Sequence, residues 1–495
     1  MKLVMGMSSR HPLVGVLRLG RPSDIWFKPA LSVVVAVAPP NIALLLLGRL
    51  DLAMYTMAGS LCALYAHNRP YAARARALAW VALGMLAGLA TALVAASLAT
   101  SAVVLVTVGA VLAAVQKVLC DATRVGPPGN VVLTFISSAA LFAPQSLDRI
   151  PGHLGLAATA AAWAWLVGMA PGLLRPYGPE RRATAAALHA AAAHVETGGT
   201  GGTGATSSPG DHRTRTHATA AAAVHAARQA LHSGGRPGRA GGTRRALERL
   251  VVRAEIALAA PADADPVLLR TWARQVRGNR PVPELDDLTG IGAELAPPTA
   301  PLWRRLAPLT PLAVRTALGC ALAGYASLAL GIGRPYWALV TAACLYQANL
   351  TLTWGRGVQR VIGNLLGVLL FAALVPLAHT GEVALVLCCL ALNFGAEALI
   401  SRNYWLGSVC VTPMALLITE FAGFQEPGRL ITERVVDTLV GALVGLAAAV
   451  AVPDRRWQRV VRAERSGPRT LAATGRSQGP RPDQRTGDTT EGVRP

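Results

Sequence analysis

Apolar residues recur along this chain in runs of about 18 to 23, the length a helix needs to cross a hydrocarbon core of roughly 30 Å. Pro29–Leu47, Leu78–Ser97, Leu312–Leu330 and Val358–Leu377 are examples. A soluble domain buries one or two such runs, not a dozen. Six are predicted in the first part of the chain, near 29–47, 52–67, 78–97, 99–116, 129–144 and 154–174. Six more follow, near 312–331, 336–353, 358–378, 382–400, 404–422 and 432–452. The expected fold is all-α: a polytopic membrane protein with about 12 transmembrane helices in two six-helix repeats and a cytoplasmic helical insert. The boundaries read as a cytoplasmic N-terminus at 1–28, a first membrane half at 29–176 and an insert at 177–308. A second membrane half at 309–453 and a disordered cytoplasmic tail at 454–495 complete the division.

The insert is too polar to span a bilayer. Four segments within it, RRATAAALHAAAAHVE, ATAAAAVHAARQALH, RRALERLVVRAEIALA and PVLLRTWARQVR, have the composition of Ala-rich or amphipathic helices. The stretches 197–212 and 233–243 read as Gly/Ser/Thr-rich linkers. The first residues lack a continuous apolar core and a small-residue cleavage site, so no cleaved signal peptide is expected.

Charge in the short loops orients the spans, because cytoplasmic loops are enriched in Arg and Lys. With the N-terminus inside, one side collects Arg69, Arg74, Arg76, Lys117, Arg124, Arg175, Arg181 and Arg182. Arg304, Arg305, Arg315, Arg356, Arg360 and Arg402 fall on that side too. The other side has little beyond GRLD at 48–51 and Asp148–Arg149 in the first half. Both termini are therefore expected in the cytoplasm, with the chain in the inner (plasma) membrane. The two halves also resemble each other. LGRLDLAMYTMAGSL parallels LGIGRPYWALVTAACL, and GxxxG recurs at Gly84/Gly88 with Gly363/Gly367, and at Gly168/Gly172 with Gly441/Gly445. Such spacing lets helix backbones approach closely in a bilayer.

Composition agrees: 53% of residues are hydrophobic and 15% charged, against roughly a quarter charged in soluble domains. The net charge of +21 follows the loops, the insert and the tail rather than one nucleic-acid-binding face. The seven cysteines sit almost wholly in apolar runs without a CxxC pair and read as small apolar fillers. No Walker A loop, HExxH, GxSxG or Cys/His ligand spacing occurs. Neither an enzyme, a metal site nor a cofactor is expected. The expected partners are a small organic anion and the lipid bilayer, with no nucleic acid and with room for homo-oligomers.

The segment with most chemistry is 334–370. Tyr336 and Trp337 follow a helix-starting proline, and Gln347 and Asn349 lie inside the run. Arg356, Arg360, Gly363 and Gly367 are spaced 4, 3 and 4, which puts two guanidiniums and two glycines on one helix face. Two readings of the arginines stand: they face a cavity, where they pair with Glu397 or attract an anion, or they mark the cytoplasmic boundary. Asp437, near the start of the last span, reads either as a proton carrier or as a partner of Arg434 or another polar group.

Tyr336, Trp337, Thr341, Gln347, Arg356, Arg360, Gly363 and Gly367 resemble the pattern of the fusaric acid resistance protein-like family of integral membrane transporters, related to aromatic acid exporters. Arg434, Asp437, Thr438 and Gly441 are similar to that family's last-helix motif. Asn364 and Ala348 depart from it, standing where Thr and Pro are usual. The resemblance covers about 312–452 and implies export of small, often aromatic, carboxylates using the proton gradient. The substrate or transport candidates are Tyr336, Trp337, Gln347, Arg356, Arg360 and Asp437; the packing candidates are Gly363, Gly367, Gly441 and Gly445. A passive anion channel and a non-transporting scaffold acting through the insert are the alternatives. The first half is expected to act mainly as a packing partner.

Overall fold

The computed structural model describes residues 16–19, 26–199, 209–233, 242–278, 281–283, 301–347 and 350–452. Within them the chain is helical and without strands. The first six apolar helices are α1 (Phe27–Leu46), α2 (Ala53–Ser60, prolonged by a 3-10 turn to Leu64), α3 (Tyr71–Leu98), α4 (Ala102–Thr123), α5 (Val131–Leu141) and α6 (Ile150–Met169). Four helices of the polar insert follow: α7 (Gly178–Gly199), α8 (Pro209–Ser233), α9 (Gly242–Ala259) and α10 (Pro266–Arg277). The second set is α11 (Thr310–Ala329), α12 (Tyr336–Leu345), α13 (Leu350–Ala378), α14 (Glu382–Ile400), α15 (Tyr404–Glu420) and α16 (Pro427–Ala451).

Eight of these helices are long and apolar enough to cross a membrane, and α2, α5, α12 and α15 are shorter. The order long, short, long, long, short, long occurs twice. Leu83, Leu369 and Leu443 remain 55%, 66% and 70% exposed, which fits helices whose outer surfaces meet lipid tails rather than water. This is a multi-pass membrane protein.

The short helices nevertheless lie on crossing segments. Tyr71, at the start of α3, packs its ring on Gly172, just past the end of α6, while Tyr55 near the start of α2 stacks on His153 near the start of α6. Residues 53–70 therefore run from one face to the other. In the second set, Arg334 before α12 meets Thr419 at the end of α15 and Glu433 early in α16. Gln359 early in α13 bonds Asn403, just before α15, at 2.9 Å. So α12 with its exit segment traverses, and α15 traverses back. Ten residues of α-helix rise only about 15 Å, half of the hydrocarbon thickness. Past α12 the chain leaves the helix at Tyr346, whose backbone is extended (ψ 115°). One face of the resulting slab is basic (Arg69, Arg74, Lys117, Arg124, Arg175, Arg315, Arg356). The other collects Asp51, Asp148, Glu382, Glu420, Glu426 and Glu433.

The two sets are related by their packing. Their second and sixth helices pair, α2 with α6 and α12 with α16. Their third and fifth pair likewise, α3 with α5 and α13 with α15. Between sets, α11 packs on α4 and α14 packs on α1, so each first helix meets the other set's fourth. This reciprocal exchange is that of a pseudo-two-fold axis along the slab normal, the arrangement of parallel repeats.

Two predicted boundaries change. The run expected at 336–353 breaks after Leu345, and the helix expected at 358 begins at Leu350. Arg356 and Arg360 thus sit in the second and third turns of α13, and Gln347 lies in the break. The glycine motifs of the sixth helices also differ in use. Gly441 and Gly445 lie against α12, whereas Gly168 and Gly172 lie against the side chains of Leu78 and Tyr71 on α3. In the first set the close α2–α6 approach is made by Gly59, on the other partner, against Ala157 and Ala161. The insert helices share a core of Leu188, Leu231, Leu247, Leu250 and Val276. Asp265 caps α10 by accepting from the Val267 N–H at 2.8 Å, and Pro266 takes the first helical position, where no N–H is needed. The predicted linkers shrink, since α7 reaches Gly199 and α8 starts at Pro209; their remainders and the tail expected at 454–495 lie outside the described residues.

Candidate functional site

The four short helices converge. Leu61 and Leu64 after α2, Phe135 on α5, Trp337 and Val340 on α12, and Tyr404 and Ser408 on α15 all line one cavity of about 800 Å³. That volume suits a small molecule. Short helices with extended flanks leave backbone groups without partners, which a bilayer tolerates only where they face protein or a cavity. The cavity reaches the basic face, where Lys117, Asp121, Arg124 and the Gly126–Asn130 loop form one wall. The first set is therefore more than a packing partner, which corrects the expectation from sequence. At the rim, the Val16 carbonyl accepts from Gln359 at 2.8 Å and from Asn403 at 3.2 Å, both of them lining residues.

On the opposite side the lining stops at Trp337, Met414 and Arg434. Beyond it, Tyr336 stacks on Phe142 with ring centroids 5.8 Å apart, and Trp337 stacks on Phe135 at 5.5 Å. Further out, Arg334 bridges Glu433 at 3.5 Å, Thr419 at 3.4 Å and Gln425. The acidic face is closed by an aromatic layer and then by an ionic one.

Four arginines line the cavity: Arg124 from the first set, and Arg356, Arg360 and Arg434 from the second. Arg356 lies with its Cζ 3.9 Å over the Tyr404 ring, and Arg360, 3% exposed, donates to the Tyr404 hydroxyl at 3.3 Å. Arg434, 1% exposed, rests 4.1 Å above the Trp337 ring. Among the described residues its Nε and Nη1 have no hydrogen-bond partner, and neither does Arg360 Nε. Cation–π contact offsets part of the burial of these charges, but it leaves N–H groups unmet. Lys117 is tied to Asp121 at 3.0 Å. Glu397 on α14 lines the same cavity but forms no ion pair with an arginine among the described residues.

Of the residues singled out in the sequence, Trp337, Gln347, Arg356 and Arg360 meet in this cavity. Tyr336 belongs to the aromatic layer beyond it. Asp437 stands apart, fully buried, with Oδ1 accepting from the Ser327 hydroxyl at 2.6 Å. Gly363 and Gly367 let α13 press on α15: an added Cβ would meet Ser408 Cβ at 2.6 Å and Thr412 Cβ at 2.6 Å respectively. Beside them Asn364, the departure noted in the sequence, accepts from Thr412 at 2.7 Å and donates to Thr438 at 3.0 Å. Sequence reasoning missed Tyr404, which organises both α13 arginines, and offered Arg434 only as a motif residue and a partner for Asp437.

Comparison with known proteins decides the relationship for this part of the chain. Residues 320–448 match the fusaric acid resistance protein-like family. The matched residues include Arg356, Arg360 and Arg434 and, apart from Phe135 and Phe142, both layers that close the acidic face. The chain is also 34% identical over 135 residues to an uncharacterised membrane protein, YvaC, of Bacillus subtilis, covering 27% of this chain and 21% of that one. It is 32% identical over 161 residues to an uncharacterised protein of Haemophilus influenzae, covering 32% and 21%. The matches span about a fifth of the length of these curated relatives. No solved structure matches the chain.

Proposed function

We propose that this protein is a carrier that exports small organic anions, aromatic carboxylates among them, across the inner membrane with both termini in the cytoplasm. One observation carries the reading: Arg360 and Arg434 are buried beside a cavity of about 800 Å³ with guanidinium nitrogens that have no partner. A buried donor left unmet costs about 1–3 kcal/mol, and a carboxylate accepting from it removes that cost. The planar guanidinium fork suits a carboxylate in two-point contact. Trp337, Tyr404 and Phe135 offer ring faces for the rest of an aromatic ligand.

Direction follows from charge. The basic face, where the cavity emerges, faces the cytoplasm under the positive-inside rule. An inside-negative potential then favours anion exit by about 2.3 kcal/mol per charge for each 100 mV. Closure of the acidic face by Tyr336, Trp337 and Arg334 favours a carrier in one of two states over an open pore. The test is efflux of labelled aromatic carboxylates from cells with and without the gene, and with Arg360→Ala or Arg434→Ala at equal abundance. Efflux that depends on the gene and falls in both variants supports the reading; unchanged retention of every acid sinks it. Electrogenic flux at channel rates in liposomes would replace the carrier with a pore.

A further inference from the structure

We propose that Glu397 selects the substrate, favouring carboxylates that bear a cationic or hydrogen-bond-donating group at the end opposite the carboxylate. The inference rests on the anion-carrier reading of the cavity. Glu397 projects from α14, whereas the guanidiniums come from α13 and α16. The arginines are engaged elsewhere: Arg356 and Arg360 turn to Tyr404, and Arg434 covers Trp337. From the first set the facing charges are Lys117, held by Asp121, and Arg124. Its helix neighbour Asn393 is bonded back to the Cys389 carbonyl at 3.0 Å. Of the two lining carboxylates Asp121 is paired with Lys117, whereas Glu397 and the guanidinium donors share the cavity without satisfying one another.

A ligand with a carboxylate alone meets the arginines and lays its apolar end against Glu397. That strips water from a carboxylate and returns nothing. A ligand whose far end carries an ammonium, amino or hydroxyl group completes both halves of the site with charge-assisted hydrogen bonds. A polar pocket built in this way discriminates most strongly against an isostere that lacks the donor. The class implied is amphoteric: an aromatic acid with a protonated nitrogen or a hydroxyl across the ring.

Isothermal titration of the purified full-length protein with 4-(aminomethyl)benzoate and 4-ethylbenzoate at neutral pH tests this, because the pair differs only in an ammonium for a methyl. The wild-type protein should bind the amino acid tighter by about tenfold or more. Glu397→Gln should bring the two within about threefold, binding 4-ethylbenzoate at least as tightly as the wild type because no charge is left to desolvate, which also reports that the variant is folded. Equal binding by the wild type overturns the inference while leaving the anion reading intact, and so does a preference that survives in Glu397→Gln. Binding of neither acid to the wild type overturns both. If Glu397→Gln does not fold, the wild-type ratio decides, with Glu397→Asp, which keeps the charge, expected to keep the preference.

Discussion

Replacing Gly441 by alanine tests the packing that holds the cavity wall in place. A Cβ built there lies 2.4 Å from the Ala338 carbonyl oxygen and 2.8 Å from Thr341 Cβ. Carbon and carbonyl oxygen come no closer than about 3.3 Å in comfortable contact, so α12 and α16 must part by about 1 Å. The obstacle is backbone, and α12 has nowhere to retreat, because all ten of its residues are buried. Overpacking of this kind costs about 1–3 kcal/mol. Gly155 on α6 is the matched control: a Cβ there meets nothing within 4 Å, and alanine improves helix propensity by up to about 1 kcal/mol. Thermal unfolding of both variants in one detergent should place Gly441→Ala several degrees below the wild type and Gly155→Ala at or above it. Because α12 carries Trp337, the same displacement should weaken ligand binding. A Gly441→Ala protein that melts with the wild type would refute the close approach of these helices, and an equal fall in both variants would show that neither contact is specific.

Arg360→Lys keeps a positive charge but loses the planar fork, and should weaken carboxylate binding by about tenfold in the titration described above. Tyr404→Phe keeps the ring under Arg356 and removes the hydroxyl that accepts from Arg360; it should cost about 1 kcal/mol of binding and leave the melting temperature nearly unchanged. In the insert, burial raises the Glu180 carboxyl above its ordinary value, with Arg244 and Arg182 opposing the shift. A raised carboxyl adds stability that is present below the unfolded-state value and lost as the pH rises through the folded one. Unfolding followed from pH 4 to 8 should therefore lose part of its high-pH decline in Glu180→Gln, and a curve parallel to the wild type would contradict the burial.

Spans were legible wherever one helix crosses alone, because hydrocarbon thickness sets a run length that composition reveals. The chain shape within short crossings was not. In 336–353 the apolar run continues past Leu345, and nothing in the local pattern marks the end of the helix there. The deciding fact is that this segment faces a cavity. The same fact hid the early start of α13, because Thr351 and Thr353 fall inside the run expected at 336–353 and Arg356 reads as a loop residue after it. A usable signal existed in part: the second and fifth apolar runs are the short ones in the first set and 336–353 is the shortest in the second, and short runs at matching places in two repeats point to an interior site. Residue partners were less legible. The 4-3-4 spacing put Arg360 on the same face as Gly363, but that Tyr404 meets this face depends on the register between α13 and α15. Nor does any local rule show that Asp437 bonds Ser327, 110 residues away.

The two sets of helices share a plan but not a chemistry, and the difference explains where the ligand site lies. In each, an aromatic residue near the start of the short second helix stacks on a basic residue near the start of the sixth: Tyr55 on His153, and Trp337 on Arg434. The first pair sits close to Asp51 and Arg149 at the acidic face, with Tyr55 bonded to Gln145, and does not line the cavity. The second pair forms the cavity's inner end. Likewise the third helix of the first set has no arginine beside Gly84 and Gly88. There Gly88 instead receives Gln116 and Ser137, which with Thr134 and Asn130 form a closed polar chain. Polar groups that satisfy one another have no donors left for a ligand, whereas Arg360 and Arg434 do. The cavity is therefore built by both sets, through all four short helices; the first set adds Lys117 and Arg124 at its basic end, and the buried guanidiniums with unmet nitrogens come from the second. That asymmetry puts the unmet guanidinium nitrogens of a pseudo-symmetric shell in the second set, and on the anion-carrier reading it places selectivity in the contacts of α13, α14, α15 and α16.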